Sequence, residues 1–267
     1  LICEEDFFMK RLISLLIALA LILPALPPAL ASGTVPGTPP IPSVGDVWDG
    51  SAEQPVSLVE RNGVYYYEIT RCAQLAFIAQ NGGDWLGYNY ILGADLIFND
   101  VVLTWDEDGK LLTDPAALLP WTPIDGFKGD LLGNGHTVSG LYCSISGGYA
   151  GLFGSLYGSV SGLAIVNSFI RGARDSGGLA GSAGGIGKSI SGCSFSGAAV
   201  SSGSYAGGLI GSASCQYLSN LVNYGTVSGA KATGGIAGSH SGYDVSNCTN
   251  YGTVHSRTDY AGGITGH

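Results

Sequence analysis

A five-residue phrase recurs five times in the second half of the chain: a small residue or glycine, a glycine, an aliphatic, a free position and a closing glycine. It reads Ala150-Gly151-Leu152-Phe153-Gly154, Gly177-Gly178-Leu179-Ala180-Gly181, Gly207-Gly208-Leu209-Ile210-Gly211, Gly234-Gly235-Ile236-Ala237-Gly238 and Gly262-Gly263-Ile264-Thr265-Gly266. The closing glycines are separated by 27, 30, 27 and 28 residues. Self-similarity at this period signals stacked supersecondary units, each burying its apolar side on the next, rather than unlike elements packed around one core.

A second phrase keeps step with the first: Val138-Ser139-Gly140-Leu141, Val160-Ser161-Gly162-Leu163, Ile190-Ser191-Gly192-Cys193, Leu218-Ser219-Asn220-Leu221 and Val245-Ser246-Asn247-Cys248. The last two units share a longer tail, Leu221-Val222-Asn223-Tyr224-Gly225-Thr226-Val227 against Cys248-Thr249-Asn250-Tyr251-Gly252-Thr253-Val254. Side chains alternate along an extended segment, so residues 248, 250, 252 and 254 share one face and 249, 251 and 253 the other. Glycine in nearly every turn's length of chain disfavours helix, at about 1 kcal/mol for each interior glycine relative to alanine. The predicted fold class is therefore all-β: a parallel β-helix of about 28 residues per coil, with three short strands and three corners in each. Five coils would rise about 24 Å at the usual strand spacing of about 4.8 Å. Leu141, Leu163, Cys193, Leu221 and Cys248 are expected to form one interior column.

These residues resemble the GLUG-motif repeat proteins of bacterial surfaces, named for a Gly-Leu-any-Gly phrase. The resemblance extends upstream, through Trp48-Asp49-Gly50, Ile69-Thr70, Gln74-Leu75-Ala76-Phe77-Ile78-Ala79 and Leu92-Gly93-Ala94-Asp95-Leu96. It continues through Trp121-Thr122-Pro123-Ile124, Phe127-Lys128-Gly129 and Gly133-Asn134-Gly135-His136-Thr137, and covers roughly residues 46–267. Leu131-Leu132 stands where the family more usually has Phe-Asp. The resemblance implies an extracellular β-helix belonging to an adhesin-like or secreted protein, sometimes attached to IgA-specific metallopeptidases, with no chemistry of its own.

The expected organisation has four parts. Residues 1–31 are an upstream leader plus a secretory signal peptide starting at Met9: Lys10 and Arg11, an apolar run over 12–23, and a small-residue cleavage site at Ala29-Leu30-Ala31. The apolar run is too short to span a membrane. Residues 32–45 are a Pro-rich linker, residues 46–140 a β-helix lead-in with an N-terminal cap, and residues 141–267 the repeats, truncated at the C-terminus. Thr70 is the expected cap of the one helix, running from Arg71 to about Gln80 with Cys72, Leu75, Ala76 and Ala79 on its apolar stripe, and Gly82-Gly83 ending it. That helix would cover the exposed end of the solenoid.

Charge separates the halves. The formal net charge is −9, yet residues 141–267 hold three acids against five bases, leaving −11 on the first 140 residues. A near-neutral Gly/Ser surface lacks the clustered cations that a nucleic-acid groove needs. Removal of the leader leaves Cys72, Cys143, Cys193, Cys215 and Cys248. Cys193 and Cys248 share a register slot, with the Leu221 coil between them. They are thus about 9.6 Å apart, beyond disulfide reach, and read as small core residues.

Motifs that suggest chemistry fail on spacing. Asp106-Glu107-Asp108-Gly109 resembles a calcium loop, but Leu111 and Ala117 occupy the places an EF-hand gives to glycine and glutamate. Gly184-Gly185-Ile186-Gly187-Lys188-Ser189 ends like a phosphate loop but has Ser182 where the leading glycine belongs. His136 reads as a turn residue. The repeat-region acids Asp175, Asp244 and Asp259 fall at unlike positions of the repeat, so no carboxylate pair for glycoside cleavage is expected. No enzyme activity, cofactor or metal site is expected. The candidate ligand-binding residues are Tyr224 and Tyr251, one coil apart on the outward parity, where stacked rings could receive a sugar face or simply brace the coils. Asn223 and Asn250 share the inward parity and predict an asparagine ladder. The functional expectation is a secreted or cell-surface bacterial solenoid serving as scaffold, stalk or adhesin, with extracellular glycans or surface proteins as partners. The alternative is the repeat region of a larger secreted peptidase or glycosidase whose catalytic domain lies beyond residue 267.

Overall fold

The structure, a computed structural model, describes residues 37–42, 44–215 and 217–267. Residues 38–267 form one compact unit. The expected leader and signal peptide lie outside the described residues.

The unit is a parallel β-solenoid whose coils follow the period of the repeat phrases. Its successive strands stack into four sheets, one more than the three per coil expected, because the second strand of each coil leads into two further short strands on either side of the repeat phrase. The first sheet stacks Tyr90–Leu92, Leu131–Leu132, Val160–Ser161, Ser189–Ser191, Tyr217–Ser219 and Asp244–Ser246 in parallel register. It opens with an antiparallel hairpin of Leu58–Arg61 on Val64–Ile69. Asn62 and Gly63 turn that hairpin with φ of 53° and 79°, the left-handed pair that a two-residue hairpin loop requires. The second sheet contains Leu96–Ile97, Thr137–Ser139, Ala164–Gly172 and Ser194–Ser201. In the last two coils its strands split at an Asn-Tyr-Gly corner, into Val222–Asn223 with Thr226–Gly229 and Thr249–Asn250 with Thr253–Ser256. The third sheet is made of Ser176–Gly177, Ala206–Gly207, Ala232–Gly234 and Tyr260–Gly262. The fourth is made of Phe153–Leu156, Ala180–Ala183, Ile210–Ala213 and Ala237–His240.

The repeat phrase forms the corner between the third and fourth sheets. Its aliphatics Leu152, Leu179, Leu209 and Ile236 are buried, and Ile264 of the last coil is half-buried. The glycines let adjacent backbones and rings close on the corner. A Cβ on Gly178, for example, would overlap the Phe195 ring. At the other end the interior is aromatic: Tyr90, Phe127 and Phe153 follow one another as tilted pairs with centroids 5.9 and 4.9 Å apart, and Trp48, Phe98 and Trp121 pack edge to face.

Leu163, Cys193, Leu221 and Cys248 occupy the expected interior column, since the residues that follow them, Ala164, Ser194, Val222 and Thr249, are ladder partners. Leu141 does not. It is buried, but Tyr142 after it pairs with Phe169, so Leu141 lies level with Ser168. In this coil the Val-Ser-Gly-Leu phrase lies on the second sheet, with Val138 beside Ile165, while Leu131-Leu132 fills the first-sheet place of Val160-Ser161.

Helix α1 (Cys72–Asn81) buries Cys72, Leu75, Ala76 and Ile78 in the same core, with Ala79 packed against it. Its N-cap is Arg71 rather than Thr70, because donors at this end are taken by other side chains. Gln74 Oε1 accepts from the Thr70 and Arg71 amides at 2.8 and 3.1 Å, and Asp46 Oδ2 accepts from the Cys72 amide at 3.0 Å. Gly82, at φ 54°, ends the helix.

Residues 99–119 leave the solenoid as a strap. Trp105 and Leu111 form an antiparallel bridge around a tip made by residues 106–110, and Asp106 Oδ1 accepts from the Asp108 and Lys110 amides at 3.2 and 2.7 Å. The base is held by Asn99, which donates to Leu119 and Gly140 carbonyls and accepts from the Leu119 amide. The body lies on the outer face of the second sheet. There Leu103 and Leu118 cover Phe169, Ala198 and Val200, while Trp105 Nε1 donates to Thr226 Oγ1 at 3.2 Å.

Candidate functional site

Tyr224 and Tyr251 project from the Asn-Tyr-Gly corners, where two features set their position. Asn223 and Asn250 point inward, and each accepts from the amide of the glycine two residues on, Gly225 and Gly252, at 3.0 Å. Asn223 Nδ2 also donates to Asn250 Oδ1 at 2.9 Å, which makes the expected ladder. With the asparagines fixed inside, alternation sends both tyrosines out. Ladder spacing then brings the rings face to face, with centroids 5.5 Å apart and planes 14° from parallel. Each ring occupies a face of the other, so the pair offers a ligand its edges and the outer face of Tyr251, which is 54% exposed. Burial, and then the neighbouring Tyr251 hydroxyl, raises the Tyr224 phenol above its ordinary pKa.

A second feature was not foreseen from the sequence. The strap tip meets the second sheet at Gly109 and leaves beside it an open cleft of about 330 Å³, lined by Phe169, Val200, Lys110, Arg171 and Arg257. Gly109 lies at its edge with φ 78°, and a Cβ there would sit 2.9 Å from Val200 Cγ2, so both conformation and space call for glycine. Asp108 is engaged by His255, Nδ1 to Oδ1 at 2.9 Å. Two sequence signals point to this arrangement: Phe169 and Val200 are large apolar residues on the outward parity and need a cover, and the apolar runs flanking the Asp-Gly turn read as a hairpin. The calcium-like segment is thus the turn of the strap.

The remaining candidates resolve individually. His136 Nδ1 lies 3.2 Å from Asp95 Oδ1, which also accepts from the Thr137 amide, so this pair ties a corner to the coil before it. Lys188 pairs with Asp130 at 2.9 Å. Asp175 is buried, which raises its carboxyl above the ordinary value, whereas Asp244 and Asp259 are exposed. Cys72, Cys143, Cys193, Cys215 and Cys248 are all free thiols. Burial pushes Cys72 and Cys143 up to about 12 and Cys193 and Cys215 up to about 11, far from the range of a nucleophilic thiolate. Among the described residues no three His, Cys, Asp or Glu side chains gather as metal ligands, and no helix is long and apolar enough to cross a membrane.

Comparison with known families and with curated proteins finds no match. Among solved structures the chain is similar to a Bacteroides ovatus protein named as a candidate immunoglobulin A1 protease, whose crystal structure is at 1.30 Å resolution. The two share 26% identity with a TM-score of 0.58, over 74% of this chain and 60% of that one. The chain thus spans about 60% of the length of the solved protein it resembles, and what the two have in common is a β-solenoid.

Proposed function

We propose that the chain is a GLUG-type repeat region of a secreted or surface-exposed bacterial protein, acting as scaffold, stalk or adhesin and carrying no active site of its own. Export is directed by the segment from Met9 to Ala31. The observation that supports this reading is the solenoid interior, filled along its length by apolar columns and an asparagine ladder. A body of this kind provides length and an outer surface. In this reading Tyr224 and Tyr251 are the outward column available to a glycan or protein partner.

A second reading has one specific support, the name of the similar Bacteroides ovatus protein. In it the solenoid is the repeat region of a larger secreted peptidase, or of a glycosidase, and presents the substrate to a catalytic domain elsewhere.

Both are tested by applying the full chain to a glycan array and to immunoglobulin A, with Tyr224→Ala/Tyr251→Ala as the comparison. Glycan binding that the double variant abolishes without loss of fold supports the adhesin role. No ligand on the array leaves scaffold or stalk. Cleavage of immunoglobulin A by the chain itself would overturn the non-catalytic assignment.

A further inference from the structure

We infer that the cleft beside the strap tip binds the carboxylate of an acidic sugar residue, with Arg171 and Arg257 as its cationic partners and Lys110 closing the site from the strap. Three observations lead there.

The first is convergence. Arg171 sits beside Val200 in the ladder, one coil earlier. Arg257 belongs to the last coil, yet its Nη2 reaches back to donate to Ser201 O at 2.7 Å, next to Val200. Two guanidinium groups from opposite directions therefore border one apolar patch, and both line the cleft.

The second is an excess of positive charge in the lining. Among the described residues Lys110 and Arg171 make no ion pair, and the one acid lining the cleft, Asp108, has its Oδ1 2.9 Å from His255 Nδ1, a contact that is an ion pair only when the histidine is protonated. Three cations line the cleft against the one carboxylate of Asp108, while Asp106 and Glu107 belong to the same strap tip but do not line it. Like charges drawn together raise the local potential and favour an anion, and a guanidinium fork matches a carboxylate with two parallel hydrogen bonds.

The third is shape. At about 330 Å³ the cleft falls at the small end of the range of about 300–1,000 Å³ in which small-molecule sites lie. Phe169 and Val200 reach it only with the 3% and 6% of their surface that stays exposed, so its apolar floor is small and the carboxylate edge of a sugar, rather than its ring face, is what the cations hold. A sialic acid or a hexuronic acid supplies this same chemistry, an anionic carboxylate on a pyranose ring. The site is separate from the tyrosine pair and holds whether the solenoid is a stalk or part of a peptidase.

The test is titration of the full chain, followed by NMR or calorimetry, with N-acetylneuraminic acid, glucuronic acid, neutral glucose and sodium sulfate. Arg171→Gln and Lys110→Gln both change exposed side chains, so the fold is kept. Expected are binding of one or both sugar acids over glucose, weakening as ionic strength rises, and a loss of about tenfold or more in Arg171→Gln, as for a hydrogen bond to a charged group. Tyr224→Ala/Tyr251→Ala should leave this binding unchanged. Equal affinity for glucose and the acids, sulfate binding as tightly as either acid, or an unchanged Arg171→Gln would overturn the proposal. Loss of binding in the tyrosine variant instead would move the site to the outer column and overturn it as well.

Discussion

Replacing Asn223 by alanine tests whether the inward ladder holds the corners together. Asn223 is fully buried. Its Oδ1 accepts from Gly225 N at 3.0 Å, and its Nδ2 donates to Gly225 O at 3.3 Å and to Asn250 Oδ1 at 2.9 Å. Truncation strands the Gly225 amide in the interior, whereas the Gly225 carbonyl keeps the Thr253 amide at 3.1 Å. One orphaned buried donor costs about 1–3 kcal/mol and one lost side-chain bond about 0.5–1.5 kcal/mol, so the expected destabilisation is about 2–4 kcal/mol. For a unit of this size that lowers the melting temperature on the order of 10 °C. Asn250 makes the same bonds to Gly252 but is half-buried, so water can replace the lost amide and Asn250→Ala should cost only about 0.5–1.5 kcal/mol. Urea unfolding followed by circular dichroism measures both, and a double-mutant cycle isolates the bond between the two asparagines. Equal costs at the two positions, or a cost below about 0.5 kcal/mol for Asn223→Ala, would refute the reasoning, because burial is the only difference invoked.

Three further outcomes are expected. A thiol reagent applied to native protein should label the half-buried Cys248 first and leave Cys72, Cys143, Cys193 and Cys215 unmodified until unfolding, as mass spectrometry of the labelled peptides would show. His240 is held below its ordinary pKa of 6.5 by burial, and its Nε2 has no hydrogen-bond partner, so protonation favours the unfolded chain. Its stabilising contribution is present above about pH 6.5 and lost as pH falls through the folded value, so His240→Gln should flatten the decline of melting temperature across that range. Asp175 has the opposite sign: burial raises its carboxyl, so stability is full below 3.8 and lost as pH rises through the folded value. Asp175→Asn should therefore raise the melting temperature at neutral pH and have no effect in acid, checked by calorimetry at both.

The coils, the glycine corners, the asparagine ladder and the column from Leu163 to Cys248 were legible because each depends on residues that return at the repeat period. Leu141 was misplaced because a short phrase specifies a local conformation, not the sheet it joins. The same four letters fall on the second sheet in that coil, and only the pairing of Leu131-Leu132 with Val160-Ser161 reveals it. The strap's turn was readable from its Asp-Gly pair and apolar flanks, but where it docks was not. Its contacts join residues such as Trp105 and Thr226, 121 positions apart, and nothing repeats between them. The cleft depends on that docking and was hidden with it. Tyr224 and Tyr251 were placed correctly by alternation, but not the extent to which each ring covers the other.

In a solenoid built only from nearest-neighbour contacts, each coil can detach from the end without disturbing those behind it. The strap removes that independence. Anchored at Asn99 and reaching Thr226 and His255, it runs alongside the stack like a splint: the pair between Asp108 and His255 ties down the coil of Thr253–Ser256, and the bond from Trp105 ties down the coil before it. Loosening of these coils is thereby coupled to the first coils, and coils that could otherwise be lost one at a time under a pulling force share the load along one seam.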